Sequence, residues 1–387
     1  MKKNLKKKMK IIYCIHSLYN PGGMERVLLG KVQYLRAHTD WEISVVTTNQ
    51  GGRPLFFDLP KGVGLTDLNV NYESGAQSGP LKKIAVYLRK KALHRKRLTE
   101  LLMREKADIV VSLFPSESSF IPAIKDGSRK VLELHLNRYF RTQYCRGGIV
   151  GMIDRIREKT DLRLARKFDK FVVLTDEDRG YWGELPNIVT IPNPSLFHVE
   201  RISDTRRHRV IAVGRLDYQK GFDRLLEAWK VVCRHDDLKD WTLDIYGQGE
   251  WRDSLQNQIE AGGMTERAFL RGTTSDIAAE FAESAFIVMS SHYEGLPMVL
   301  IEAMTCGLPA VSFACKCGPR DIIRDGANGI LVADGDCSAL AGAMMKVMRD
   351  DALRSSMGAE ALKVREQYCE ESIMSKWMTM FKSLCSE

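Results

Sequence analysis

The chain has 387 residues, 44% of them apolar and 28% charged, with a formal net charge of +9; this is globular composition, and the length sustains two cores of about 150 to 200 residues each. No apolar run approaches the ~20 residues that cross a bilayer, and Met1–Lys10 lacks the apolar centre of a secretory signal, so a cytoplasmic protein is expected. The nine cysteines form no C-x-x-C pair, and Cys315 and Cys317 stand too close together for half of a usual zinc knuckle, which points to reduced thiols. The charge is uneven: residues 2–10 hold six lysines, and residues 81–106 hold ten Lys or Arg against two Glu. These two stretches carry more than the whole positive excess, so the basicity is a local feature of the N-terminal half.

Read in chain order, Ile11–His16 has the apolar run of a first strand; the turn Asn20-Pro21-Gly22-Gly23 and a helix from about Met24 to Arg36 follow. Glycines at such a turn let a ligand approach the backbone, although a Gly-Gly pair alone is more often a tight turn. Glu42–Thr47 and Gly64–Val70 read as strands, Leu81–Arg104 as a long helix, and Asp108–Leu113, Lys130–His135 and Lys170–Leu174 as further strands. Such βα alternation predicts a parallel sheet with helices on both faces. Thr190–His208 breaks the rhythm with Pro192-Asn193-Pro194 and a basic run, which places a linker there. The alternation resumes with the strand Arg209–Val213, a helix from Phe222, the strand Thr242–Tyr246, a helix from Glu250 and a strand near Ala268–Leu270. Asp351–Leu384 shows two amphipathic helical patterns and no strand.

The stretch Phe286–Val311, FIVMSSHYEGLPMVLIEAMTCGLPAV, concentrates the chemistry. Its short apolar strand breaks at Ser290-Ser291 into a loop ending in Gly295-Leu296-Pro297, and a helix with Pro297 at its first position presents Val299, Leu300, Ala303 and Met304 on one face. The free N–H groups of that helix make an anion site beyond the strand's C-terminal end. Glu294 and Glu302 flank it, suited to accept hydrogen bonds from the hydroxyls of a ribose and a hexose while the backbone holds phosphates between them. A bare pair of glutamates eight apart is common in chains of this length. The second motif, Val213-Gly214-Arg215-Leu216-Asp217-Tyr218-Gln219-Lys220-Gly221-Phe222, leaves a strand and offers two cations, Arg215 and Lys220, before a helix; alone it would read as an exposed basic turn. His135 ends its strand, where it could bond a sugar or simply be a polar terminus.

Together these runs resemble the retaining glycosyltransferases of family 4, through Glu-x7-Glu, Glu-Gly-Leu-Pro and Cys-Gly-Leu-Pro. The resemblance implies an α/β GT-B fold: two Rossmann-like parallel-sheet domains facing each other across a cleft, with a C-terminal helix crossing back to the first. The expected division is 1–195 as the acceptor-side domain, 196–208 as the linker, 209–365 as the nucleotide-sugar domain and 366–387 as the crossing helix. It implies transfer of a hexose-type sugar from a nucleotide diphosphate sugar, UDP- or GDP-linked rather than ADP-linked, to a hydroxyl on a glycan or lipid-linked acceptor, with retained configuration, in bacterial surface polysaccharide or glycolipid synthesis. Arg215 and Lys220 would clamp the phosphates, Glu294 and His135 would serve the transferred sugar, and Glu302 the ribose. Gly22 and Gly23 would approach the donor phosphate; Gly247, Leu270 and Arg271 would line the nucleoside; Gly295, Leu296, Pro297 and Met298 would complete the phosphate loop. No cofactor and no metal is expected, since no Asp-x-Asp is present to hold a divalent ion. One departure is Gly318-Pro319-Arg320-Asp321, where relatives carry glutamate in place of Asp321.

Leu81, Ile84, Leu88, Ala92 and Leu101 form an apolar stripe ringed by Lys and Arg. With Lys2–Lys10 it could seat the protein peripherally on an anionic membrane surface, or it could cover the sheet with a solvated basic face. Two rival functions are a nucleotide-sugar epimerase of the same architecture and a nucleic-acid-binding protein. The basic stretches lack interleaved aromatics apart from Tyr87 and match no nucleic-acid module, so no nucleic-acid partner is expected.

Overall fold

Short runs rich in Val and Ile, buried along nearly their whole length, make strands that must be covered on both faces, and parallel βαβ winding supplies that cover. The computed structural model describes residues 8–20, 22–72, 80–113, 115, 117–142 and 148–386, which form two compact units. The expected lysines at positions 2 to 7 lie outside the described residues.

The N-terminal unit comprises residues up to Leu174, Arg179–Ile191 and Ile373 onward. Its strands are β1 (Lys10–Ile15), β2 (Glu42–Thr47), β3 (Gly64–Asp67), β4 (Ile109–Ser112), β5 (Arg129–Glu133), β6 (Lys170–Val173) and β7 (Ile188–Thr190). They pair in parallel in the order β3-β2-β1-β4-β5-β6-β7. One face is buried with Leu28, Val32 and Leu35 of the Gly23–His38 helix and with Trp377 and Phe381 of the final Glu370–Ser386 helix. That final helix therefore returns to the sheet that the chain builds first. The opposite face packs on Leu98, Leu101 and Leu102 of the Pro80–Glu105 helix.

The C-terminal unit comprises Pro192–Ser372 together with Thr175–Asp178. Its strands are β8 (Arg209–Val213), β9 (Thr242–Tyr246), β10 (Ala268–Gly272), β11 (Phe286–Met289), β12 (Ala310–Phe313) and β13 (Gly329–Val332), parallel in the order β10-β9-β8-β11-β12-β13. The Phe222–Val232 and Cys337–Arg349 helices enclose its core around Trp229, Phe286 and Met344.

Three expectations change. Thr190 closes the short edge strand β7 rather than opening a linker; three residues ending two places before Pro192 carry too little periodicity to be seen. The last stretch is three helices, Asp351–Ala361, Val364–Tyr368 and Glu370–Ser386, not two. In the Pro80–Glu105 helix the apolar stripe runs from Ile84 through buried His94, Leu98, Leu101 and Leu102, while Ala92 is exposed. The side chain of Leu81 lies outside the described residues.

Candidate active site

The strand order of the C-terminal unit reverses between β8 and β11, so the loops leaving these neighbours depart in opposite directions and open a crevice at the strands' C-terminal ends. Both sequence motifs sit on these loops. Lys220 Nζ lies 2.7 Å from Glu294 Oε1, and the buried Ser291 hydroxyl donates to the same oxygen at 2.7 Å. Around this pair the loops are zipped together: the Ser290 hydroxyl donates to Lys220 O at 3.0 Å, His292 N–H to Gln219 O at 2.8 Å, and Gln219 Nε2 to Tyr293 O at 3.3 Å. The rings of Tyr218 and His292 stack 4.2 Å apart, 10° from parallel. Gly221 permits the closeness. Its φ is +60°, and a Cβ there would stand 2.4 Å from Ser290 O.

The other predicted residues take distinct places. Arg215 is exposed; it pairs with Asp217 at 3.2 Å and donates to Gln219 Oε1 at 3.0 Å, which links it to the loop through Gln219. Gly247 has φ +148°, and a Cβ there would collide with Gly214 O at 1.8 Å, so its role in the fold is to let the loops after β8 and β9 lie against each other. Leu270 packs on the core, and the Arg271 side chain reaches Asp244 at 2.8 Å. Gly295 and Leu296 precede Pro297, which caps the Met298–Thr305 helix instead of standing as its first residue. Glu302 lies one turn inside that helix, half-buried.

The departing loop is explained by its contacts. The Asp321 carboxylate accepts the N–H groups of Asp176 at 2.7 Å and Glu177 at 3.3 Å, the first turn of the Asp176–Trp182 helix. Arg320 meets Glu177 at 2.8 Å. Cys317 N–H donates to Glu177 at 3.1 Å, and burial pushes the Cys315 and Cys317 thiols up. These contacts hold Thr175–Asp178 within the C-terminal unit. The eight described cysteines are free thiols, and among the described residues no three His, Cys, Asp or Glu side chains gather to hold a metal.

In the N-terminal unit His135 lies two residues past β5, largely buried, with Nε2 3.0 Å from Glu133 Oε1. Gly22 caps the Gly23–His38 helix in extended backbone, and the Glu25 carboxylate folds back over it, while Gly23 faces open space. Burial would raise the Glu133 carboxyl, but Lys31 and His135 more than reverse this and bring it to about 2.

A family profile described as "Glycosyl transferases group 1" matches residues 197–364. The Amylovoran biosynthesis glycosyltransferase AmsD of Erwinia amylovora is 36% identical over 219 residues, 54% of this chain and 61% of that protein. The profile match lies within the C-terminal unit, and there the chain is similar to the group 1 glycosyltransferases. An uncharacterized glycosyltransferase of Haemophilus influenzae is 26% identical over 95% of this chain and 98% of its own length. A mutant of S. aureus TarM, solved with Fondaparinux, alpha-GlcNAc-glycerol and UDP, superimposes with a TM-score of 0.75 at 19% identity, covering 96% of this chain and 99% of the solved one, a likeness of fold. The α/β GT-B fold with two parallel-sheet Rossmann-like domains is thereby established, and these relatives are named as glycosyltransferases, not as epimerases. The structure adds to the candidate site two residues that the sequence motifs did not single out, Ser291 and Gln219. A hydroxyl three residues before a loop glutamate was the signal for Ser291; Gln219 had none beyond lying between Arg215 and Lys220.

Proposed function

We propose that the protein transfers a hexose-type sugar, with retention, from a UDP- or GDP-linked donor to a hydroxyl of a glycan or lipid-linked acceptor. The observation that carries this is the Lys220–Glu294 pair at the β8/β11 switch point, with the Ser291 hydroxyl on the same carboxylate. A cation and an acceptor-rich carboxylate at the mouth of a parallel sheet suit a sugar diphosphate: the ammonium faces phosphate oxygens and the carboxylate faces sugar hydroxyls. Arg215 extends the positive charge; Glu302 receives the ribose; Gly295, Leu296, Pro297 and Met298 bring the helix N–H groups to the phosphates; Gly247, Leu270 and Arg271 border the nucleoside. His135 steadies the transferred sugar, and Gly22 and Gly23 approach the donor phosphate. The departing diphosphate charge is met by Lys220, Arg215 and backbone N–H groups, and no metal is called for. A phosphate oxygen so held takes the acceptor's proton. UDP in the TarM structure supports a uridine donor.

We further propose that the acceptor is met at an anionic membrane surface. Ile84 and Leu88 are 57% and 58% exposed on the Pro80–Glu105 helix, continuing the stripe whose later part is buried, and exposed Lys82, Lys83 and Arg89 flank them. No helix among the described residues is long and apolar enough to cross a membrane.

The test is transfer of label from radiolabelled UDP-glucose, UDP-N-acetylglucosamine and GDP-mannose to lipid or glycan acceptors, with Glu294→Ala and Glu302→Ala alongside. Label should move to acceptor; Glu302→Ala should raise KM and Glu294→Ala should chiefly lower kcat. Label retained in a stereochemically altered nucleotide sugar, or two variants with unchanged kinetics, would contradict the proposal.

A further inference from the structure

We infer that Lys31 and Glu133 are positioning residues that hold the His135 imidazole for its part in sugar transfer. The inference rests on the role given to His135 above. Val131, Glu133 and His135 alternate along β5 and its continuation, so their side chains share one face of the sheet, the face covered by the Gly23–His38 helix. Lys31, on that helix, is fully buried, as is Glu133. Lys31 Nζ donates to both Glu133 oxygens, at 2.5 and 2.6 Å. The ammonium stands 3.8 Å from the centre of the Trp377 ring on the final helix and 5.7 Å from that of Tyr13. The carboxylate is thus gripped through both oxygens, and Oε1 is the atom that lies 3.0 Å from His135 Nε2.

Stability does not account for this arrangement. Apolar residues of the same volume usually serve a core as well as a buried ion pair, because desolvation consumes most of the Coulombic gain. What the pair supplies is a fixed anion at the inner end of the histidine. The Nε2 contact is a close charge approach outside hydrogen-bond geometry; the ionised carboxylate therefore steers the ring by its field, favouring the proton at Nε2 and leaving Nδ1 for a sugar hydroxyl, and Lys31 keeps that carboxylate ionised and immobile. Trp377 closes the compartment, so the final helix contributes to the histidine's support.

The experiment uses the full chain in the transfer assay above, with whichever of its three donors is turned over. Three variants are compared: His135→Ala, Lys31→Met/Glu133→Gln, and Glu133→Asp, which keeps the ion pair but withdraws the carboxylate from the imidazole. Melting midpoints and KM for donor are measured beside kcat. Lys31→Met/Glu133→Gln, which leaves no buried charge unpaired, should keep the midpoint and hold KM within about twofold while kcat falls about tenfold, and adding His135→Ala to it should cost little more. Wild-type kcat in a folded Lys31→Met/Glu133→Gln protein, with His135→Ala impaired, would overturn the inference and leave the role of His135 standing. Wild-type kcat in His135→Ala would overturn both. If the paired variant does not fold, Glu133→Asp decides by the same split: lower kcat at unchanged KM supports the holder, and unchanged kcat overturns it.

Discussion

Lys220 and Glu294 differ in kind from the surface pairs elsewhere in the chain. Both are largely shielded from water, and each is the other's partner at 2.7 Å, so a donor must share them rather than find them vacant. Sequence could name both residues, because a lysine before one helix and a glutamate before another stand in specific motifs. It could not show that Ser291 completes the set or that Arg215 turns to Gln219, since those depend on how two loops 70 residues apart interlock. Glu117 was not legible at all. It follows β4, accepts the Ser112 hydroxyl at 2.6 Å, and burial pushes its carboxyl up to about 7 despite that bond. Below about pH 4.5 the group is protonated in the folded and unfolded chain alike. As pH rises toward 7 the unfolded chain loses its proton first, so stability falls through this window and levels off above it. Glu117→Gln, which keeps an acceptor for Ser112, should remove that slope. Its unfolding free energy should exceed that of the wild type by on the order of 3 kcal/mol at pH 8 and by much less at pH 5. Denaturant titrations at the two pH values check this, and an equal difference at both would contradict it.

At the scale of elements, the Pro80–Glu105 helix shows what an apolar stripe can and cannot disclose. Periodicity finds the stripe, but burial depends on what the helix is laid against. Here the second half covers β-strands of the N-terminal unit, while Ile84 and Leu88 remain more than half exposed. Uncovered apolar residues flanked by lysine and arginine match an anionic bilayer in both respects. The protein should sediment with vesicles containing a third phosphatidylserine and not with pure phosphatidylcholine, and Ile84→Asp/Leu88→Asp should weaken binding about tenfold without moving the melting midpoint. Equal binding to both vesicle types, or a variant that binds as well as the wild type, would contradict membrane seating. Asp321 teaches a related lesson. Its departure from glutamate left the contacts of this loop open in the sequence, and the carboxylate caps the Asp176–Trp182 helix from 145 residues away, a contact that no local pattern encodes.

Across the whole molecule, the alternation of strands and helices made two parallel sheets legible because every buried strand had to be apolar and every crossover had to be helical. The strand orders, β3-β2-β1-β4-β5-β6-β7 and β10-β9-β8-β11-β12-β13, place a switch point in each unit, and the second is where the motifs meet. The chain's grouping was less legible: Thr175–Asp178 joins the C-terminal unit and Ile373 onward joins the N-terminal one, assignments made by tertiary contacts such as Asp321 with Asp176 and Trp377 with Lys31. The central claim is that the β8/β11 crevice holds a sugar nucleotide by its diphosphate. It is tested most directly by thermal shift against UDP-, GDP- and ADP-sugars, wild type beside Lys220→Ala. A ligand at about 100 times its Kd adds about 2.7 kcal/mol to the native state, so a UDP- or GDP-sugar should raise the wild-type midpoint by several degrees and leave that of Lys220→Ala nearly where it was. No rise with any of the three, or an equal rise in the variant, would contradict it.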